Sequence, residues 1–400
     1  MHETWAHRAD LAESAINDRH SARVWGLPRT NLAVVSWPPV SKEKVFVHWH
    51  YWWQAHYLDC LVDAAIRRRT KARHAIVNNT VRGIGLRQGG KLSSNKYYDD
   101  KAWMALALAR AGKLKNVAVP KQLADLEFDV ISGIDALTRV LPWRAGETFY
   151  NVPSNGPAAI MMARTGRLDQ AVSVVDWIFD NLLDEQGLVM DGLRMRMHGP
   201  ETVTDIHPYN QGTALGACLE IALELRERAG FSHTESITGV HDAERIDDAM
   251  RFITRIRGVV QAVATHMATP GRVIDWDTGD GDGGLFKGIL ARYLADVAVR
   301  LPADSPANRA TKKVAAQLVM ASAASVWNHR LEVDGLPVFA TDWTEGARLP
   351  HNYGLGPAKL SEAVGGVRID ERDLSVQLSG WMLIEAAARV SAGQAEAGQR

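Results

Sequence analysis

The sequence predicts an all-α protein. Apolar residues recur with a period near 3.6 along most of the chain, residues that start and stop helices cut the pattern into about eleven segments, and strand signals are few. An even number of helices near twelve would close as six antiparallel pairs, an α/α toroid. The same periodicity also fits an open solenoid or an array of bundles.

In chain order, helices are expected over 3–17, 48–68, 99–111, 119–137, 156–163, 168–183, 211–228, 245–267, 284–298, 307–329 and 373–390. Cys60 and Cys218 fall within apolar helical patterns and read as buried thiols. Leu106, Leu108 and the alanines of 102–111 suit close helix-on-helix packing at little side-chain entropy cost. Pro120 and Pro157 read as first-turn prolines. Short strands are expected at 148–152 and 188–190, as small hairpins at a rim. With no clean repeat and no linker, residues 1–390 read as one domain and 391–400 as a flexible tail.

The 400 residues include 46 Lys+Arg and 46 Asp+Glu, so no net field draws the chain to nucleic acid or to an anionic membrane. The runs Arg67-Arg68-Arg69 and Lys312-Lys313 read as solvated helix faces. Two cysteines are not a disulfide scaffold. The first residues carry acids and lack the apolar core of a secretion signal, and no 18-residue apolar run occurs. A soluble cytoplasmic protein without membrane insertion is expected.

The chemistry gathers between the helices. Asp99-Asp100 lies between Tyr97-Tyr98 and Trp103 and leads into an apolar helix. Acids in a first turn are favoured by the exposed amides there, so either can be structural. Aromatic rings also stack on sugars, and two carboxylates about 5–5.5 Å apart can cleave a glycosidic bond with retention. Trp49-His50-Tyr51-Trp52-Trp53-Gln54-Ala55-His56 is the densest aromatic stretch, in a chain of 13 tryptophans. Its histidine spacing does not match a zinc helix. Asn155, Asp191, Tyr209 and Asn210 can bind sugar hydroxyls or equally cap helices and turns. The acidic loop 275–284 holds Trp276 between Asp275 and Asp277 but lacks EF-hand spacing, so calcium is only weakly indicated. No phosphate loop, dinucleotide fingerprint or G-x-S-x-G elbow is present, and neither cofactor nor metal is expected.

Several ordered segments together resemble family 76 of the glycoside hydrolases, the α-1,6-mannanases. They are Trp49 to His56, Tyr97-Tyr98-Asp99-Asp100-Lys101-Ala102-Trp103, Asn155-Gly156-Pro157-Ala158-Ala159, Gly187-Leu188-Val189-Met190-Asp191-Gly192, Tyr209-Asn210-Gln211-Gly212 and Phe286-Lys287-Gly288-Ile289. The resemblance implies an (α/α)6 barrel with short rim strands that hydrolyses α-1,6-mannosidic links with retention. Asp99 would be the nucleophile and Asp100 the acid/base. Trp49, Tyr51, Tyr98, Asn155, Asp191, Tyr209, Asn210 and Trp276 are the candidate contacts to an α-mannoside oligo- or polysaccharide, the expected partner. Two other readings stand beside it: a toroid epimerase using His50 or His207, and a glycan-binding protein without catalysis.

Overall fold

The computed structural model describes residues 2–230, 240–350 and 369–397. Its long helices come in two kinds. In Val152–Arg164 every residue from Val152 to Ala163 is buried, whereas Leu168–Asn181 buries only Leu168, Ala171, Val174, Val175 and Ile178, a single stripe. A helix buried all round must be inside, and one with a single stripe must lie against it.

That alternation repeats. Among the described residues the long helices are α1 (His2–His20), α2 (Tyr51–Arg67), α3 (Lys71–Arg87), α4 (Tyr98–Gly112), α5 (Gln122–Ser132), α6 (Val152–Arg164), α7 (Leu168–Asn181), α8 (Pro208–Arg228), α9 (Val240–His266), α10 (Phe286–Arg300), α11 (Pro306–His329) and α12 (Leu374–Ala397), with one further turn of helix at Ser41–Lys44. Each even-numbered helix packs on the next, and α12 closes back onto α2. The odd-numbered helices form the outer layer. The architecture is an (α/α)6 barrel, as expected. Inner helices approach closely at small residues: a Cβ on Gly212 would lie 2.9 Å from Leu290 Cα, and one on Gly288 2.6 Å from Ser379 Cα.

Short strands join helices at one rim. β1 (Ser21–Ala22) pairs with β2 (Leu32–Ala33), and β6 (Leu331–Val333) with β7 (Leu336–Val338). β3 (Phe149–Asn151), β4 (Met190–Arg196) and β5 (Gly199–Ile206) form an antiparallel sheet, with Tyr150 opposite Leu193 and Leu193 opposite Thr202. β3 runs directly into α6.

Four differences from the sequence reading have physical causes. α3 was not expected, because Asn78, Asn79, Gly83 and Gly85 interrupt its apolar period. Gly83 is needed there, since a Cβ would fall 2.2 Å from the Asn31 carbonyl oxygen. Pro157 sits inside α6, not at its start; Asn151 caps that helix by accepting from the Ser154 N–H at 3.3 Å. β4 and β5 make a hairpin longer than the expected 188–190 strand. Finally, α12 continues to Ala397 through much of the expected tail, with Ser391 still buried.

A recurring side-chain device anchors the inner helices. Gln54 donates to Ala33 O (2.8 Å) and accepts from Ala33 N–H (2.9 Å); Asn155 does the same with Leu141 (2.8 and 2.8 Å). Gln211 grips Val189 (2.7 and 2.8 Å) and Gln377 grips Phe339 (2.9 and 3.0 Å). Each amide sits one turn into its helix and pairs with extended chain as a neighbouring strand would. It satisfies both polar groups of a buried peptide.

At the other end of the inner ring lies a belt of ion pairs. Arg110 and Arg292 both bridge Asp59 and Asp63; Arg164 and Arg300 hold Glu220; Arg389 holds Asp296; Arg67 holds Glu385. All six inner helices contribute. The belt lines a cavity of about 590 Å³, whose end nearest the aspartates is walled by His56 and Trp103, rings 4.6 Å apart. Burial alone would raise the Glu220 carboxyl, but Arg300 and Arg164 outweigh it and hold it at about 2.

Two outcomes follow for stability. Gln211→Leu leaves the buried Val189 N–H and C=O unpaired and should cost about 2–5 kcal/mol in urea unfolding. Glu220 has a folded pKa of about 2 against an ordinary 4.5, so its contribution is complete above the ordinary value and lost as pH falls toward 2. Glu220→Gln should therefore flatten the acid limb of a stability-versus-pH curve measured by thermal melting.

Candidate active site

The inner helices begin where their carboxylates and rings meet. The start of α4 is fixed by the Tyr98 N–H bonding Trp143 O at 3.0 Å and by a bridge between Tyr97 and Arg144. The Trp143 N–H bonds Phe149 O on β3. This chain of contacts brings the Trp143 indole to Asp99, where it donates to Oδ2 at 3.0 Å. Asp99 Oδ1 accepts from the Asp100 N–H at 2.9 Å, so Asp99 also serves the helix start. Asp100 Oδ2 accepts from the Asn95 amide at 2.5 Å.

Both aspartates are half-buried: enclosed by protein yet open to solvent. Burial raises the Asp99 carboxyl to about 6, against the opposing hydrogen bonds from the Asp100 N–H and Trp143. Asp100 is raised well above its ordinary value, first by burial and then by the charge of Asp99. Like charges this close do not both ionise easily, so the pair holds on to one proton.

A third carboxylate faces the pair. The 3-10 turn Gly281–Leu285 precedes α10 and carries Asp282, whose Oδ1 accepts from the indoles of Trp52 (2.9 Å) and Trp53 (2.8 Å) on α2. Its charge acts on Asp99, Asp100 and Tyr209. Tyr209, at the start of α8, stacks on Phe286 with centroids 4.0 Å apart, and Trp52 leans on the same ring at 6.5 Å. Asp191 is raised mainly by burial and accepts from Asn210 at 3.2 Å. His50 stacks on Trp53, and His207 lies 5.2 Å from Phe286.

Of the residues singled out in sequence, the structure brings Asp99, Asp100, Asp191 and Tyr209 into one electrostatic neighbourhood. Tyr51 stands beside it, buried, its hydroxyl on Leu92 O at 3.3 Å. Asn155 is corrected: it is wholly buried and its amide is spent on Leu141 and Asn151, so it holds the barrel and does not reach a ligand. Asn210 is also wholly buried and orients Asp191. Tyr98 packs on Gly133 beneath the Lys101 ammonium, toward α5. Trp49 is buried against Tyr51 and the Arg87 guanidinium. Trp276 donates to Ile206 O at 3.1 Å, beside β5. Sequence reasoning did not single out Trp143, Asn95, Trp52, Trp53, Asp282 or Phe286 as site residues. Only the density of aromatics and acids around them signalled their part. Among the described residues no cluster of three or more His, Cys, Asp or Glu side chains could hold a metal ion.

A carboxylate pair at the mouth of an (α/α)6 barrel, ringed by aromatic side chains, defines a barrel of the glycosidase type. The chain belongs to glycosyl hydrolase family 76, whose sequence model matches residues 33–359. Among solved structures it is similar to an inactive variant of the α-1,6-mannanase GH76A of Salegentibacter sp. HEL1_6 in complex with α-1,6-mannotriose. The two are 25% identical over 96% of this chain and 99% of that one, with a TM-score of 0.72. In that variant two consecutive aspartates are replaced by asparagine. The Lin0763 protein of Listeria innocua has the same fold at 23% identity, over 97% of this chain and 98% of that one, TM-score 0.72. So does the α-mannanase BT2949 of Bacteroides thetaiotaomicron at 12%, over 98% and 96%, TM-score 0.64. No curated protein matches the chain in sequence. Among the described residues no helix is long and apolar enough to cross a membrane.

Trp143→Phe removes a donor that favours ionised Asp99. The Asp99 carboxyl should rise further, moving the acidic limb of the kcat/KM profile to higher pH by about one unit. An unmoved limb in a correctly folded variant would separate Trp143 from the acid pair.

Proposed function

We propose that this chain hydrolyses α-1,6-mannosidic linkages with retention, through a covalent glycosyl–Asp99 intermediate. One observation carries the reading: two adjacent carboxylates in the first turn of α4 stand half-buried at the mouth of the barrel, open to solvent and ringed by aromatic side chains. The likeness to α-1,6-mannanases supports the substrate. The inactive relative in which two consecutive aspartates were replaced supports the assignment of roles.

Asp99, the more easily ionised member, attacks the anomeric carbon while Asp100 gives its proton to the departing glycosidic oxygen. Asp100, now charged, then takes a proton from water, whose oxygen displaces Asp99 from the sugar. Net inversion twice is retention. Neighbouring positions on one helix keep the acids close, as double displacement needs; single displacement needs about 6.5–9.5 Å to seat a water. The half-buried rings of Phe286, backed by Tyr209, and Trp52 offer flat apolar faces to sugar rings, and Asp191 accepts from hydroxyls.

Asp99→Asn and Asp100→Asn should each lower turnover of defined α-1,6-manno-oligosaccharides by ~10³-fold or more, with unchanged melting. The first-formed sugar, read by proton NMR, should be the α-anomer. Wild-type turnover by either variant, or a β-anomer first, would defeat the assignment. Wild-type kcat/KM should rise with pH through about 6, where Asp99 ionises, and fall at higher pH as Asp100 loses its proton.

A further inference from the structure

Asp282 is built into place more firmly than an exposed carboxylate requires. A side chain open to water is well solvated without help, yet here Oδ1 takes two indole N–H groups from adjacent residues of α2. The turn beneath it is equally constrained. Gly281 has φ +57° and its N–H bonds Asp373 Oδ2 at 3.0 Å. A Cβ on Gly283 would lie 1.8 Å from Thr278 O, and one on Gly284 2.5 Å from Ser375 Oγ. The loop is thus folded tightly against α12 and clamped to α2, so Asp282 is fixed relative to both.

The two oxygens are not alike. Oδ1 is saturated, while Oδ2 makes no hydrogen bond among the described residues. An ionised carboxylate can only accept. Fixed where its charge acts on Asp99, Asp100 and Tyr209, Asp282 presents Oδ2 as a ready acceptor for a neutral ligand's donors. On a glycan without amines those donors are hydroxyls. We infer that Asp282 is a sugar-binding residue, its free oxygen accepting from a hydroxyl of the bound glycan while the Trp52–Trp53 indole pair holds the other. This rests on reading the cleft as a mannoside site. The bland alternative is a staple, with Asp282 only tying its loop to α2.

Asp282→Asn separates the two. The amide oxygen still accepts from both indoles, so a staple survives, but the other atom becomes an NH2 that can only donate, and it no longer accepts a hydroxyl's hydrogen. The test is calorimetric binding of α-1,6-mannotetraose to the D99N/D100N protein, with and without D282N. D282N should weaken binding by ~10- to 100-fold with melting temperature unchanged. A panel of monodeoxy tetraoses keeps the test sharp should D282N also soften the fold. One deoxy position should weaken binding to D99N/D100N by a similar factor, and that penalty should vanish in D99N/D100N/D282N. Equal affinity of the two proteins, within twofold, makes Asp282 a staple and overturns this inference alone. Failure of D99N/D100N itself to bind the tetraose overturns the mannoside reading and this inference together.

Discussion

The six inner helices run parallel, and the rest of the molecule follows from that. Starts meet starts, as when Trp52 and Trp53 reach Asp282 and Tyr209 lies on Phe286. Ends meet ends, as when Arg110 and Arg292 share Asp59 and Asp63. Six aligned dipoles give the barrel a positive mouth and a negative floor. Arg67, Arg110, Arg164 and Arg300 stand in the last turns of their helices, at the floor. Asp99 and Asp100 stand in the first turn of theirs, at the mouth. The charge distribution is thus set by topology before any ligand is considered.

The same polarity separates holding from reacting. At the floor each carboxylate meets at least one arginine, and the pairs tie together helices that are not neighbours in the ring, such as α2 and α10. Removing one partner would strand a buried charge, so the belt specifies a single closed arrangement. At the mouth Asp99 and Asp100 face other carboxylates, and among the described residues neither is paired with an arginine. Their charged forms are disfavoured, and a proton stays available near neutral pH. Burial acts on both groups; at Asp59 and Glu220 the arginines outweigh it, whereas at Asp99 and Asp100 it prevails.

How far this could be read from sequence depended on range. Helical period and first-turn acids are local signals, and they located eleven of the twelve long helices and the Asp99-Asp100 pair. α3 escaped because its helix is held by packing, with Asn31 against Gly83, and its own residues lack an apolar stripe. Asn155 looked like a sugar contact because an amide at a helix start can serve a ligand or a peptide. Only the partner, Leu141 on another segment, decides between them. The same amide clamp recurs at Gln54, Gln211 and Gln377, a repeat without fixed spacing and therefore invisible to a search for period. Trp143 and Asp282 reach the site from 44 and roughly 180 residues beyond Asp99; the acidic loop marked the segment of Asp282, but not which of its carboxylates meets Trp52 and Trp53.

Because Asp99 and Asp100 are consecutive residues of α4, their separation belongs to one rigid body. Breathing of the ring, or drift of α10 against α2, would change the width of the opening without changing that separation. Loops around the rim can therefore be reshaped while the geometry of the acid pair stays fixed. Selectivity and reaction chemistry occupy different mechanical parts of the same barrel.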